Sequence, residues 1–362
     1  IDGVYGWKVD QGEFWFGDIL DTSVGQMSNE RFRPYYYDAM YDYTVKKNPH
    51  GIIITRPYSH QGGYAASVEK MNMGWCGDFS GDWKGLKLQI QNIYQSAKRG
   101  YGSPGCEVAG FFMKRSNKEQ FVRYAQFGCM TACMINGGEN GAFSNHLPWW
   151  HGTDVENIYR YCVVLHNEMI PYFFSTVVDA HLRGGSLIKN ASYEEESHQV
   201  GDYLFTKAIT STDNRVSFHL PSEGEWMDFY NGKKYAPGSL IEEAYALEHF
   251  PLFVKEGAIL PLNVASEITG LGDASMAGRR TIMIYPNGNT TRLLHLPCGD
   301  GIEYEDCLVT YDEKTGKLQV SGGTFQKYTF ILKNMPSVKE VKNAVSWKYN
   351  VEKQELRIDA QG

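Results

Sequence analysis

The stretch Met71-Asn72-Met73-Gly74-Trp75-Cys76-Gly77-Asp78-Phe79-Ser80-Gly81-Asp82-Trp83 decides the fold. Its apolar start, Met71 to Trp75, reads as a short buried strand, and the glycine-rich segment after it reads as a loop that carries Asp78. From Trp83 the period changes. Over Trp83 to Lys98, the residues Leu86, Ile90, Ile93 and Ala97 recur at steps of three and four, so they share one helix face. Strand, polar loop and amphipathic helix together make one βα unit.

Working outward, the same unit recurs. Val4 to Val9, Gly51 to Thr55, a short segment near Cys106 to Val108, and Cys133 to Ile135 are further strand candidates. A second helix is expected over Val155 to Leu182, stopped by Arg183-Gly184-Gly185. Alternating strands and helices predict an α/β fold with a parallel sheet. After Gly185 the pattern becomes short alternating runs broken by turn residues: Asp202 to Phe205, Val216 to Leu220, Trp226 to Tyr230, Thr281 to Tyr285, Arg292 to Leu296 and onward to Ile358. This predicts all-β structure in two small sheet domains, giving expected boundaries of 1–184, 185–265 and 266–362.

Composition excludes several functions. A net charge of -7 without a Lys/Arg cluster argues against nucleic acid as a partner. No apolar run approaches the roughly 20 residues that span a bilayer, so no membrane is expected. The seven cysteines are odd in number and lack C-x-x-C spacing, which suggests buried free thiols. Walker A, G-x-S-x-G, H-E-x-x-H and strand-linked G-x-G-x-x-G patterns are absent. The start of the chain gives no compartment; sequons at Asn190 and Asn289 would permit glycosylation, and an extracellular, periplasmic or luminal setting is expected over a cytoplasmic one.

Each strand candidate but the fourth ends in polar residues: Lys8, Asp10 and Glu13; then Arg56 and His60; then Asp78 and Asp82; then Glu107 alone; then Asn136, Glu139, Asn145 and His146. In a (β/α)₈ barrel such strand ends converge on one face. Glycoside hydrolysis needs two opposed carboxyl groups there, and Asp10 with Asp78 is the best pair. Lys8 is expected to keep Asp10 ionised, while Trp75, Phe79 and Trp83 are expected to desolvate Asp78 and hold its proton. The alternative makes Asp10 a strand-end turn residue and Asp78 the N-cap of the Trp83 helix.

These residues also resemble a known family. Gly6-Trp7-Lys8-Val9-Asp10-Gln11-Gly12-Glu13 is similar to the G-W/F-K-x-D-x-x-E segment of glycoside hydrolase family 31, and Gly74 to Trp83 to its W-x-G-D-x-x-x-x-W segment. Gly105-Cys106-Glu107-Val108-Ala109-Gly110-Phe111 resembles G-x-D-I-G-G-F, and Arg160-Tyr161 with Pro171-Tyr172 resembles R-Y then P-Y. Pro251 to Pro261 resembles P-x-F-V-R/K-x-G-S/A-I-I/L-P, the longest match.

The resemblance implies about five strands, the C-terminal portion of a TIM (β/α)₈ barrel, followed by two small β domains. It implies Asp10 as nucleophile and Asp78 as acid/base, with no cofactor. Lys8, Trp7, Glu13, Arg56, Trp75, Glu107, His146 and Trp149 are the implied sugar-binding residues. Glu107 for Asp and Ala109 for Gly are departures that predict an altered −1 subsite. Met134 to Gly141 and Asn145-His146-Leu147-Pro148-Trp149 look more like the family's α-galactosidase-type members, so an α-galactoside or α-N-acetylgalactosaminide is the expected substrate. His146 could equally be a structural histidine and Arg56 a loop anchor. Five strands cannot close a barrel, so the missing N-terminal half is an expected partner, lost by truncation or supplied by a second chain. A glucosidase, xylosidase or transglycosylase of the same family, and a non-catalytic carbohydrate-binding protein, are the competing readings.

Overall fold

The computed structural model describes residues 3–10, 12, 17–111, 115–137, 146–298 and 303–362. Two compact units emerge: Ile1–Tyr159 with Ala180–Glu196 and Ala208–Asp213, and Arg160–Asp179 with Ser197–Lys207 and Asn214–Gly362.

The first unit is built on five parallel strands that lie side by side in chain order: β1 (Gly6–Lys8), β2 (Ile52–Thr55), β3 (Met73–Trp75), β4 (Pro104–Glu107) and β5 (Met134–Ile135). The register pairs Lys8 with Ile54, Thr55 with Gly74, Trp75 with Gly105, and Glu107 with Ile135. Neighbouring parallel strands joined by crossovers are the arrangement of a barrel wall, and β1 is an edge whose three residues are all exposed.

The crossovers are α1 (Asn29–Lys47), α2 (Trp83–Arg99) and α3 (Lys118–Gly128); α4 (Thr153–Arg183) follows β5. In α2 the predicted apolar face is buried at Leu86, Ile90 and Ile93. Asp82 caps its start by accepting from the Gly85 N–H, and Gly100, at φ +101°, ends it. In α3 a capping box joins Asn117 and Gln120. No helix links β2 to β3; a short hairpin (Tyr58–Ser59 with Gly63–Tyr64) and a 3₁₀ turn (Val68–Lys70) do. Behind β1 and β2, Val9, Ile53, Tyr37, Ala65 and Ala66 form a small core.

The second unit is antiparallel apart from one parallel pair. Ser197–Val200, Leu204–Lys207, Leu252–Lys255, Trp226–Asp228 and Lys234–Tyr235 lie next to one another in that order. Phe205, Phe218, Trp226, Ile241 and Phe253 pack beside them. A five-stranded sheet runs Ile259–Leu262, Arg280–Ile284, Lys327–Leu332, Glu355–Gln361, Ser346–Asn350, and a three-stranded one runs Asn289–Cys298, Glu303–Asp312, Lys317–Ser321. The two share one core that includes Ile282, Leu294, Val309 and Phe330. Among the described residues, no helix is long and apolar enough to cross a membrane.

Candidate active site

Strand alternation sorts the residues of β1. Val9 joins the core on the helix side with Ile53, so Trp7 shares that face, while Lys8 and Asp10 face the other way. The Tyr36 hydroxyl, from α1, donates to the Asp10 carbonyl at 3.1 Å and fixes the backbone there.

Arg56 joins the strand ends. It follows β2 and its side chain is only 1% exposed. Its Nε donates to Asp10 Oδ1 at 2.8 Å and its Nη2 to Asp78 Oδ2 at 2.7 Å. One planar guanidinium therefore holds both carboxylates, which are themselves 31% and 25% exposed. The same guanidinium lies 4.3 Å from the centroid of the buried Trp75 ring, and the Lys8 ammonium lies 4.1 Å from it. Gly77, at φ +107°, lets the loop after β3 turn beside Arg56; a Cβ there would meet Nη1 at 3.2 Å.

The expected environments of the two carboxyls need correcting. Asp10 is paired with Arg56 rather than with Lys8, whose charge is spent on Trp75. Asp78 is partly open to solvent and shares the guanidinium, so the dry, apolar setting expected for it is not found there. That setting belongs to Glu107, at the end of β4. Glu107 is 1% exposed and, among the described residues, its Oε2 has no hydrogen-bond partner. Burial pushes its pKa up to about 8, with Lys8 and Arg56 opposing the shift and Asp78 and Asp10 adding to it. The N-cap role considered for Asp78 is taken by Asp82, whose Oδ1 accepts from Gly85 N–H at 2.9 Å and Ser80 Oγ–H at 2.6 Å.

The loops after β3 and β4 are tied together, Phe111 N–H donating to the Phe79 carbonyl at 2.7 Å. Ala109, where the resemblance leads one to expect Gly, sits at φ +65°, a left-handed conformation that favours glycine. From α2, Asn92 Nδ2 donates to the Cys76 carbonyl at 2.8 Å, two residues before Asp78. His60 stacks on Phe79 at 5.5 Å.

The structure does not gather every expected residue. Trp7 is 42% exposed on the opposite face of β1, and Trp149, in a 3₁₀ turn (Pro148–Trp150), is 60% exposed. Among the described residues, no side-chain hydrogen bond or ring contact links either to the Arg56 cluster. His146 is buried; burial lowers its pKa against a backbone hydrogen bond with Phe111, and Arg115 and His151 lower it further. Glu13, Glu139 and Asn145 lie outside the described residues. Tyr36, Asn92 and Phe111, whose ring lies 5.8 Å from the Lys8 ammonium, were not anticipated. Asn92 alone left a signal, as an amide on the apolar side of an amphipathic helix.

Comparison with known proteins agrees with this architecture. Residues 2–176 match the family model of the glycosyl hydrolases family 31 TIM-barrel domain, and residues 188–260 that of the family's C-terminal domain. An α-xylosidase of Saccharolobus solfataricus is 25% identical over 75% of this chain and 37% of its own length. An α-glucosidase of Bacillus thermoamyloliquefaciens is 24% identical over 66% and 31%. The chain thus spans about a third of the length of these curated relatives. Among solved structures, a cycloalternan-forming enzyme from Listeria monocytogenes superposes with a TM-score of 0.83 at 18% identity, covering 99% of this chain and 37% of that one. A Flavobacterium johnsoniae dextranase gives 0.80 at 19%, covering 99% and 52%. None of these four is named a galactosidase, so the α-galactoside preference expected from the Met134-to-Trp149 stretch is not upheld, and most of that stretch lies outside the described residues. Both family models fall in order along the half-barrel and the β region, and the chain belongs to glycoside hydrolase family 31.

Proposed function

We propose that this chain carries the catalytic pair of a retaining exo-α-glycosidase acting on α-glucosides or α-xylosides. The observation that supports it most is the Arg56 bridge: one buried guanidinium bonds both strand-end carboxyls and so keeps them near each other, as a retaining pair, roughly 5 to 5.5 Å apart, needs. Asp10 attacks the anomeric carbon while Asp78 gives its proton to the leaving oxygen. A covalent glycosyl ester forms on Asp10, and Asp78 becomes a carboxylate. Asp78 then takes a proton from water, the water oxygen attacks the anomeric carbon, and Asp10 leaves, so the configuration is retained. Arg56 stabilises whichever carboxyl is ionised at each stage and holds both in place, work that charge-assisted hydrogen bonds to a planar fork suit. Trp75 offers an apolar wall between the two cations.

The sugar preference rests on the relatives' names, an α-xylosidase and an α-glucosidase. The pocket is completed, in this reading, by the further strands that a closed barrel needs beyond β5 and beyond the exposed edge of β1. The test is a panel of p-nitrophenyl α-glycosides hydrolysed by the full-length protein, with Asp10→Ala and Asp78→Ala beside the wild type. Release from the α-glucoside or α-xyloside, abolished by both substitutions, supports the reading. A well-folded protein that binds oligosaccharides and cleaves none of them is instead a carbohydrate-binding protein.

A further inference from the structure

The double displacement uses two carboxyls, and the pocket holds a third. Glu107 is only 1% exposed, and among the described residues no group donates a hydrogen bond to its Oε2. Oε1 lies close to Gly137, where a Cβ would come within 3.2 Å. The charged and titratable groups around it come from every neighbouring element: Lys8 and Asp10 from β1, Arg56 after β2, Asp78 after β3, Cys106 beside it in β4, Cys133 before β5, and Tyr124 from α3. Among these, Arg56 is committed to Asp10 and Asp78, and Lys8 to the face of Trp75.

A negative charge there would lack solvent and a full set of donors, which is the condition under which a buried carboxyl keeps its proton. It would also compete with Asp10 and Asp78 for the one guanidinium and draw Lys8 from the face of Trp75. Building on the reading of Asp10 and Asp78 as the catalytic pair, we propose that Glu107 is a positioning residue that works uncharged. Its retained proton keeps Arg56 committed to both catalytic carboxyls and Lys8 to Trp75, and loss of that proton adds a second ionisation to the alkaline fall in activity, beside that of the acid Asp78.

Two measurements on the full-length protein test this. Difference infrared spectroscopy of wild type against Glu107→Gln should show a protonated-carboxyl band at neutral pH that belongs to Glu107 and vanishes on alkaline titration. In kinetics, the alkaline fall of kcat/KM should be shallower in Glu107→Gln than in wild type, because one ionisation, that of Asp78, remains where wild type has two. No protonated band at neutral pH overturns the proposal. So does a folded Glu107→Gln protein whose alkaline limb coincides with that of wild type. The infrared result stands without turnover, so a protein lacking glycosidase activity refutes the catalytic reading while the charge state of Glu107 is still decided.

Discussion

Replacing Arg56 with lysine tests the bridge at the centre of the site. The guanidinium makes two charge-assisted hydrogen bonds, at 2.8 Å to Asp10 and 2.7 Å to Asp78, and lies 4.3 Å from the centroid of the Trp75 ring. A lysine ammonium is a point charge on a flexible stem and cannot hold both carboxylates in that fixed geometry. One bond is therefore lost. Hydrogen bonds to charged groups contribute about 1.5–3 kcal/mol, and the partial exposure of both carboxylates places the loss at the lower end, about 2 kcal/mol. If the freed carboxyl is one that reacts, the same free energy appears as about a thirtyfold fall in kcat/KM. Steady-state kinetics on the preferred α-glycoside and urea unfolding monitored by tryptophan fluorescence report the two effects separately. An Arg56→Lys protein with wild-type kcat/KM and wild-type unfolding midpoint would refute the claim that the bridge positions the pair.

Three further outcomes follow from the geometry. Asp82→Ala should lose about 1 kcal/mol by removing the α2 cap, whereas Asp78→Asn should leave the stability of α2 unchanged while abolishing turnover; paired urea melts and rate assays separate the two aspartates. Ala109→Gly should relieve the left-handed strain at φ +65° and raise stability by about 1 kcal/mol, read as a higher melting temperature. Glu168, buried in α4 and accepting from Thr269 Oγ1–H, has its pKa pushed up to about 7 by burial. Because that value lies above the unfolded carboxyl's, folded protein binds the extra proton, and stability is lost as pH rises from about 4.5 through about 7. Glu168→Gln should thus match wild type near pH 4 and exceed it by up to about 3 kcal/mol at pH 8 in thermal melts across that range.

Much of this was legible in the sequence, for reasons particular residues make plain. The β3–α2 unit declared itself because Met71 to Trp75 is apolar and Leu86, Ile90 and Ile93 keep one helical face, although the cap is Asp82 and not Asp78. Four of the five strands fell where apolar runs end in polar clusters, because strand ends on one face of a barrel need side chains that face water or ligand; the fourth ends in Glu107 alone. By contrast, α1 was illegible. Its apolar residues show almost no helical bias, it is crowded with tyrosines, and it contains Pro34, so its helix is set by packing behind β1 and β2 and not by its own pattern.

The two carboxylates were found from residue type and position, but their surroundings were not. Sequence neighbours suggested that Lys8 serves Asp10 and that tryptophans desolvate Asp78. In the fold, partners come from adjacent strands, so Arg56 reaches both and the desolvated carboxyl is Glu107, one strand further on. Alternation along β1 likewise turned Trp7 away from the Lys8 face, although the two are adjacent in sequence.

The central claim is that Asp10 forms a covalent bond to the sugar. The direct measurement is mass spectrometry of the full-length protein after treatment with a fluorinated α-glycosyl fluoride, chosen so that the glycosyl ester forms faster than it hydrolyses. One sugar per protein is expected, on the peptide that contains Asp10, and none on Asp10→Ala. A label on any other carboxyl, or turnover that releases the inverted anomer with no label at all, would contradict it.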